Sequence, residues 1–175
     1  ISKNYKLKKP LIIYNNFSNS LKETIVNYKN LIILNENSEL NLINYINNSS
    51  RENFMVNTVE NIKMKKDSSL NNILINNSKC NGYFYKYIKC DLEKNSNLEN
   101  YLISSGLKFN KLDIEINLNE EYSKSSVFSA LNLMNNEHQE IKTRINHNAP
   151  HCHSYQKVKN VLNNESKGIY QGKIF

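Results

Sequence analysis

Hydrophobic and polar residues alternate along much of this chain. The alternation is cleanest in "KLDIEINL" at 111–118, whose apolar face consists of Leu112, Ile114, Ile116 and Leu118. A period of two is the pattern of a half-buried β-strand. "LIIL" at 31–34 and "LNLINYI" at 40–46 behave similarly and are rich in β-branched and aromatic residues. The pattern therefore predicts a chain built mainly from short strands.

A short polar motif recurs between these strands. It has an apolar residue, two polar residues, then Asn, Asp or Glu, then serine, and it reads "LNENSEL" (34–40), "MKKDSSL" (64–70), "LEKNSNL" (92–98) and "LNNESKG" (162–168). An imperfect copy, "LNEEYSKSS" at 118–126, has one extra residue, so its serine is Ser123. Successive copies start 30, 28, 26 and finally 44 residues apart. Each copy reads as a polar corner between two strands.

A strand unit of this length cannot bury its apolar face alone, but stacked units form a continuous core. Asn or Asp followed by serine suits a corner, because the first tolerates left-handed dihedrals and the hydroxyl bonds the backbone. We therefore predict an all-β fold, a parallel β-helix with coils of roughly 26–30 residues. The β-helix core should span 31–175, after a lead-in segment at 1–30.

Two alternatives stay open at this point. A β-sandwich would need frequent hairpin turns, and only Asn81-Gly82 has the sequence of one. Near the start, "SNSLKETIVNYK" at 18–29 has a serine cap and apolar spacing that fit a short helix, although a loop is also compatible with it.

Composition narrows the function classes. The net charge is +7 and asparagine fills 34 positions, but alanine and arginine occur twice each, a pattern typical of AT-rich codons. Two arginines offer little capacity for bidentate phosphate or guanine contacts, so no nucleic-acid partner is predicted. No apolar run reaches 18 residues, so no membrane partner is predicted either. Cys80, Cys90 and Cys152 are widely spaced without a C-x-x-C motif, which indicates a reducing compartment.

The stretch "RINHNAPHCHSYQKVKN" at 144–160 contains three of the four histidines and one cysteine. If 151–155 is a strand, His151 and His153 share one face and Cys152 points the other way. One strand therefore cannot place all three on one ion. A metal site would need His147 across the Pro150 corner, or His138 from the preceding coil.

We accordingly predict no catalytic residue and no bound metal for this stretch, and we retain four candidate ligands: His147, His151, Cys152 and His153. The spacing matches no strong zinc pattern. A ladder that satisfies buried backbone groups is the favoured interpretation, and a partner-contact surface is the other alternative.

The same stretch carries a family resemblance. "NHNAPHCHSYQKVKNVLNNESKGIYQGKI" at 146–174 resembles the core signature of the SufB/SufD family of iron–sulfur cluster assembly proteins, in its SufD branch. The matching residues are His147, Pro150, Cys152, Ser154, Lys159, Gly168, Gly172, Lys173 and Ile174. "NNEHQEIKTRINH" at 135–147 is similar to the family's Gln-His-x-Asp-x-x-Thr stretch, with His138-Gln139 inverted and Glu140 in place of aspartate.

The resemblance implies a right-handed parallel β-helix that acts as a non-catalytic scaffold. Its implied partners are SufB, contacted through β-helix edges, and the SufC ATPase, docked by a C-terminal helical domain. The Fe–S cluster, and ATP through SufC, would belong to the full complex, and no cofactor is expected on this fragment. We expect the chain to stop before its C-terminal coils and helical domain, and to reside in the cytoplasm or a plastid stroma.

An enzyme on a β-helix is the alternative function. A polysaccharide lyase needs a cleft with clustered Asp, Arg and Lys, and two arginines make that unfavourable. A hexapeptide-type acyltransferase needs a glycine in each six-residue repeat, which four glycines do not supply.

Overall fold

In the computed structural model, strands stack in parallel into a β-solenoid of about six turns, with about 70% of the residues in strands. The structure describes residues 1–18, 20–48 and 50–175, and for Asn48 and Ser78 the backbone alone. The strands are β1 (Leu11–Phe17), β2 (Ile25–Leu34), β3 (Glu39–Asn48), β4 (Met55–Met64), β5 (Ser69–Leu92), β6 (Asn97–Leu118), β7 (Lys124–Leu133), β8 (His138–His147), β9 (His153–Leu162) and β10 (Lys167–Ile174). The predicted β-helix is confirmed.

Two parallel sheets face each other across the interior. Sheet A contains β1, β3, the first part of β5 (69–77), the first part of β6 (97–105), β7 and β9. Sheet B contains β2, β4, the second parts of β5 (83–92) and β6 (109–118), β8 and β10. Each coil contributes one strand segment to each sheet, so β5 and β6 pass from one sheet to the other without ending.

Alternate residues of both sheets point inward and form the core. The face predicted for "KLDIEINL" is confirmed, because Leu112, Ile114, Ile116 and Leu118 are all buried. A main cluster, mostly leucines and isoleucines, runs through the coils. A smaller cluster around Phe17, Phe54 and Phe84 fills the side where sheet A passes into sheet B. Stacking thus supplies the apolar partner that no coil has alone.

The polar motifs stack into a row of corners where sheet B passes into sheet A, called here the first corner row. Each corner holds one residue with left-handed backbone dihedrals, and these are Asn37, Asp67, Asn95, Tyr122 and His151. The residue that follows is a buried serine in four coils, namely Ser38, Ser68, Ser96 and Ser123. Its hydroxyl donates back to the corner, as in the 2.6 Å bond from Ser68 to the carbonyl of Lys65. The serine corners therefore stack as predicted.

One copy of the motif lies in the other row. "LNNESKG" at 162–168 joins β9 to β10, where sheet A passes into sheet B, and Asn164 there stacks on Asn135 with a 3.2 Å side-chain bond. The spacing of 44 residues is therefore about one and a half coils. The true next member of the first corner row is the turn at 148–152, which the sequence motif did not identify because Pro150, His151 and Cys152 replace its usual residues.

The helix considered for 18–29 is wrong. Residues 25–34 form β2, which pairs with β4 in parallel, and 20–24 form turns and irregular backbone; Asn19 lies outside the described residues. Stacking on the next coil overrides the weak helical spacing, because it pairs one backbone edge of β2 with β4 along all ten residues. Strands begin at Leu11, and β1 with the first residues of β2 lies within the segment 1–30 treated as a lead-in. The described residues contain no helix, hence none long and apolar enough to cross a membrane.

Candidate functional site

Cys152 occupies the serine position of the first corner row. It follows left-handed His151 just as Ser123 follows left-handed Tyr122 one coil earlier. Its Sγ lies 3.2 Å from the Ser123 hydroxyl oxygen and 3.3 Å from the carbonyl oxygen of Glu120. The half-buried thiol thus acts as a weak donor inside a corner, where the other coils use a hydroxyl.

His151 is a corner residue, so the strand assumed for 151–155 is wrong at its first residues. β9 begins at His153, and His151 has a φ of 59° in the preceding turn. Its exposed ring stacks on Tyr122, with centroids 5.1 Å apart and planes 8° apart. The two rings continue a row in which earlier coils pair polar side chains, such as the 2.8 Å bond between Asn95 and Asp67. Stacking on the neighbouring coil stabilises a left-handed conformation that is uncommon for residues other than glycine, although histidine adopts it more often than most.

The remaining histidines are dispersed. His147 ends β8 and its Nε2 lies 2.9 Å from the Ser154 hydroxyl oxygen. His153 begins β9 with an exposed side chain. His138 is at the opposite end of β8 from His147, with Nε2 3.0 Å from Glu140 Oε1. Within the part of the chain that the structure describes, no three His, Cys, Asp or Glu side chains are arranged to hold a metal ion.

The other signature residues lie in the last coil. Pro150 is in the corner turn, and Lys159 is exposed on the outer face of sheet A. Gly172 is closely packed, since a Cβ there would lie 2.6 Å from the Tyr170 hydroxyl oxygen. At Gly168 a Cβ would lie 3.1 Å from side-chain atoms of Asn160 and Leu162. The signature therefore describes one corner and the packing of one coil.

A second polar feature is an ion pair inside the solenoid. Lys86 Nζ lies 3.0 Å from Glu60 Oε2, and the Glu60 side chain is fully buried. Both project inward from sheet B, in adjacent coils. Because Glu60 Oε1 has no hydrogen-bond partner among the described residues, the carboxylate depends on Lys86 for compensation of its charge.

The opposite wall of the interior carries a ladder of asparagines. The Asn44 amide donates to Asn72 Oδ1 at 3.3 Å, and the Asn72 amide donates to Asn100 Oδ1 at 3.1 Å. All three are buried. A nearby cavity of about 30 Å³ is lined mostly by apolar side chains such as Leu74, Phe84 and Leu102, together with polar ones such as Thr58 and Asn110. Its volume and its polar groups are compatible with an ordered water.

Sequence reasoning missed this interior. The signal was a polar residue on the apolar face of an alternating strand: Glu60 falls in step with Ile62 and Met64, and Lys86 with Ile88 and Cys90. Opposite charges at inward positions of successive coils would have suggested the ion pair of Glu60 and Lys86.

Burial raises the pKa of the Cys90 thiol well above its usual value, so this side chain behaves as an apolar one.

The tyrosine stripe Tyr83, Tyr85 and Tyr87 lies on the outer face of sheet B. Tyr83 and Tyr85 pack against Phe109 of the next coil, with centroids 6.0 and 5.2 Å apart. The Tyr87 hydroxyl donates to Glu115 Oε2 at 3.1 Å. The stripe therefore packs and bonds between neighbouring coils.

Comparison with known protein families identifies a family for this chain. The model described as "SUF system FeS cluster assembly, SufBD core domain" matches residues 16–175. The match includes most of the solenoid and the whole signature at 146–174. A search of curated proteins finds no match.

Proposed function

The chain belongs to the SufBD core family of the SUF iron–sulfur cluster assembly system, and on that premise we propose that it is a SufD-type scaffold subunit without turnover of its own. Its partners in this proposal are SufB and the SufC ATPase. The family match over 16–175 is the observation that carries the proposal. Cluster chemistry and ATP hydrolysis then belong to the assembled complex.

The architecture supports a scaffold role. Each coil pairs with the next through the backbone of two sheets, and a terminal coil of such a solenoid offers the same groups to a strand of another chain. The continuous core and the stacked corners make the coils a rigid support.

The signature residues support the same proposal by their structural roles. Cys152 bonds within a corner, His147 contacts Ser154, and Gly172 packs against Tyr170. We propose that these residues shape the surface of the coil for a partner. The histidines and cysteine then act as architecture and contact surface, and iron is cargo of the complex.

Co-expression tests the proposal. The full-length protein with an affinity tag, expressed with SufB and SufC, should be captured as a stable complex under reducing, anaerobic conditions. A second arm of the test uses Gly172→Leu, which introduces a bulky side chain where an added Cβ would lie 2.6 Å from the Tyr170 hydroxyl oxygen, and this variant should weaken capture. Capture of neither partner by the wild-type protein would refute the scaffold assignment.

A further inference from the structure

The outer face of sheet A carries two adjacent columns of uncharged, mostly apolar side chains. Register places one residue of each column in every coil from the first to the fifth. The first column is Ile12, Ile43, Ile73, Tyr101 and Phe128, and the second is Tyr14, Tyr45, Ile75, Ile103 and Ala130. These ten residues are called the apolar face of sheet A.

The apolar face is open to solvent. Tyr14 is 62% exposed and Ile103 is 47% exposed, and no residue of the two columns is buried. The columns are bordered mainly by neutral amides, such as Asn41 and Asn71, which bond to each other at 2.7 Å. A contiguous apolar area without charge, on a protein of net charge +7, is typical of an interaction surface.

The corresponding columns on sheet B are different. Their members include Lys29, Asp113 and Lys142 in one column and Lys89, Glu115 and Arg144 in the next. The apolar face is therefore a property of sheet A and not of every outer face of the solenoid.

The dimensions of the apolar face suit one helix. Strands about 4.8 Å apart make the apolar face about 19 Å long and place the first and sixth coils of sheet A about 24 Å apart, and alternate residues place the columns about 6.6 Å apart. The area, about 300 Å², is well below the roughly 800 Å² that each of two folded proteins buries in a stable interface, so the apolar face fits a smaller element such as a single helix better than a second copy of the chain. A helix of about 16 residues is about 24 Å long, the distance from the first to the sixth coil, and its turns of 5.4 Å nearly match the strand spacing.

The sixth coil ends both columns with positive charge. Lys157 continues the column of Phe128, and Lys159 continues the column of Ala130. Both lysines are exposed, and neither forms an ion pair within the described residues. Cations stabilise the carboxyl end of a helix and attract acidic side chains there.

We propose that the apolar face of sheet A binds one amphipathic helix of a partner protein, with an acidic last turn at Lys157 and Lys159. The apolar stripe of the helix lies along the two columns, roughly parallel to the solenoid axis. The lysines set its direction, because the helix placed the other way would bring its positive end to them. This inference does not depend on the proposed function.

Binding of designed peptides to the full chain tests the proposal. Two helical peptides of about 16 residues, with leucines at i, i+3, i+4 and i+7, differ only in glutamates or lysines in the last turn. Fluorescence anisotropy should show saturable binding and a preference for the glutamate peptide. Ile103→Lys should weaken binding by more than about tenfold, since a charge replaces a buried contact of the helix.

The matched control is Val59→Lys, at an outward position of sheet B that is 38% exposed. It should leave binding unchanged. The double variant Lys157→Glu, Lys159→Glu should reverse the preference between the two peptides. Absence of saturable binding would overturn the proposal. So would an equal loss of affinity in Ile103→Lys and Val59→Lys, or an unchanged preference between the peptides in the double variant. Self-association that Ile103→Lys abolishes would assign the face to a second copy and would also overturn it.

Discussion

Sheets A and B contain the same number of strand segments and share one interior, yet they hold their polar residues differently. Inside, sheet A has the neutral ladder of Asn44, Asn72 and Asn100, whereas sheet B has the charged pair of Glu60 and Lys86. Outside, sheet A presents an apolar face and sheet B a mixture of ion pairs and tyrosines.

The difference shows two ways of burying polar groups in a solenoid. An amide is both donor and acceptor, so identical residues in successive coils satisfy one another and the row can extend indefinitely. Charges need the opposite sign in the next coil, so a charged row ends after one pair or becomes mixed. Asparagine can therefore recur in every coil of a buried row, whereas a buried lysine or glutamate occurs at a single position along the solenoid axis.

The largest expected effect is on the interior of sheet B. Lys86→Met leaves Glu60 buried without its cation, and the free energy of unfolding should fall by about 3–5 kcal/mol. Urea denaturation followed by circular dichroism measures the change. The double variant Glu60→Leu, Lys86→Met removes both charges and should recover most of the loss. A loss below about 1 kcal/mol for Lys86→Met would show that the pair is well hydrated.

A smaller effect is expected on the interior of sheet A. Asn72→Ala removes the middle of the ladder and leaves groups of Asn44 and Asn100 without partners, which should cost about 1–3 kcal/mol. The control is Asn71→Ala, one residue away on the outer face, where water replaces the lost bond and the change should stay within about 0.5 kcal/mol. Equal losses in the same denaturation experiment would argue against a special role for the buried ladder.

The smallest effect is on tyrosine titration. Burial, then the bond to Glu115, raises the pKa of Tyr87 on sheet B above its ordinary value of 10.0. On sheet A the bond to Glu99 is the first cause of the raised pKa of Tyr101, followed by burial. The folded state thus favours the neutral phenol of both. The resulting stabilisation is present below pH 10.0 and is lost as the pH rises through the folded-state values.

Removing the carboxylates separates the two causes. Glu99→Ala should move the pKa of Tyr101 most of the way back to its ordinary value, whereas Glu115→Ala should leave that of Tyr87 partly raised by burial. NMR of ring-labelled tyrosine during an alkaline titration measures both. A larger fall for Tyr87 than for Tyr101 would contradict the assigned order of causes.

Much of the fold was predictable because its signals are local. The alternation in 111–118 sets which side chains face inward, and the corner serines place the turns. The turn at 148–152 was not recognised, since Cys152 replaces the serine and a left-handed histidine is rare. "LNNESKG" was grouped with the other copies although it lies in the other corner row, because the motif does not determine at which of the two corners of a coil it occurs.

The candidate site was less predictable than the fold. The sequence groups His138, His147, His151 and His153 within sixteen residues, but β8 places His138 and His147 at opposite ends of one strand. Glu60 and Lys86 are separated by 26 residues and lie in contact, because one coil is close to that length. Proximity in a solenoid follows the coil period more than the distance along the chain.

The sequence by itself determined the strand alternation, the polar corners and the approximate coil length, since each depends on residues a few positions apart. The sequence supplies asparagine at 34 positions, but the tertiary structure decided its use, because a ladder needs the same residue in register in the next coil. Only the stacking of coils sorted the corners into two rows, paired Glu60 with Lys86 and gathered ten apolar side chains on one face. Each of these depends on register between coils, which the whole core fixes at once.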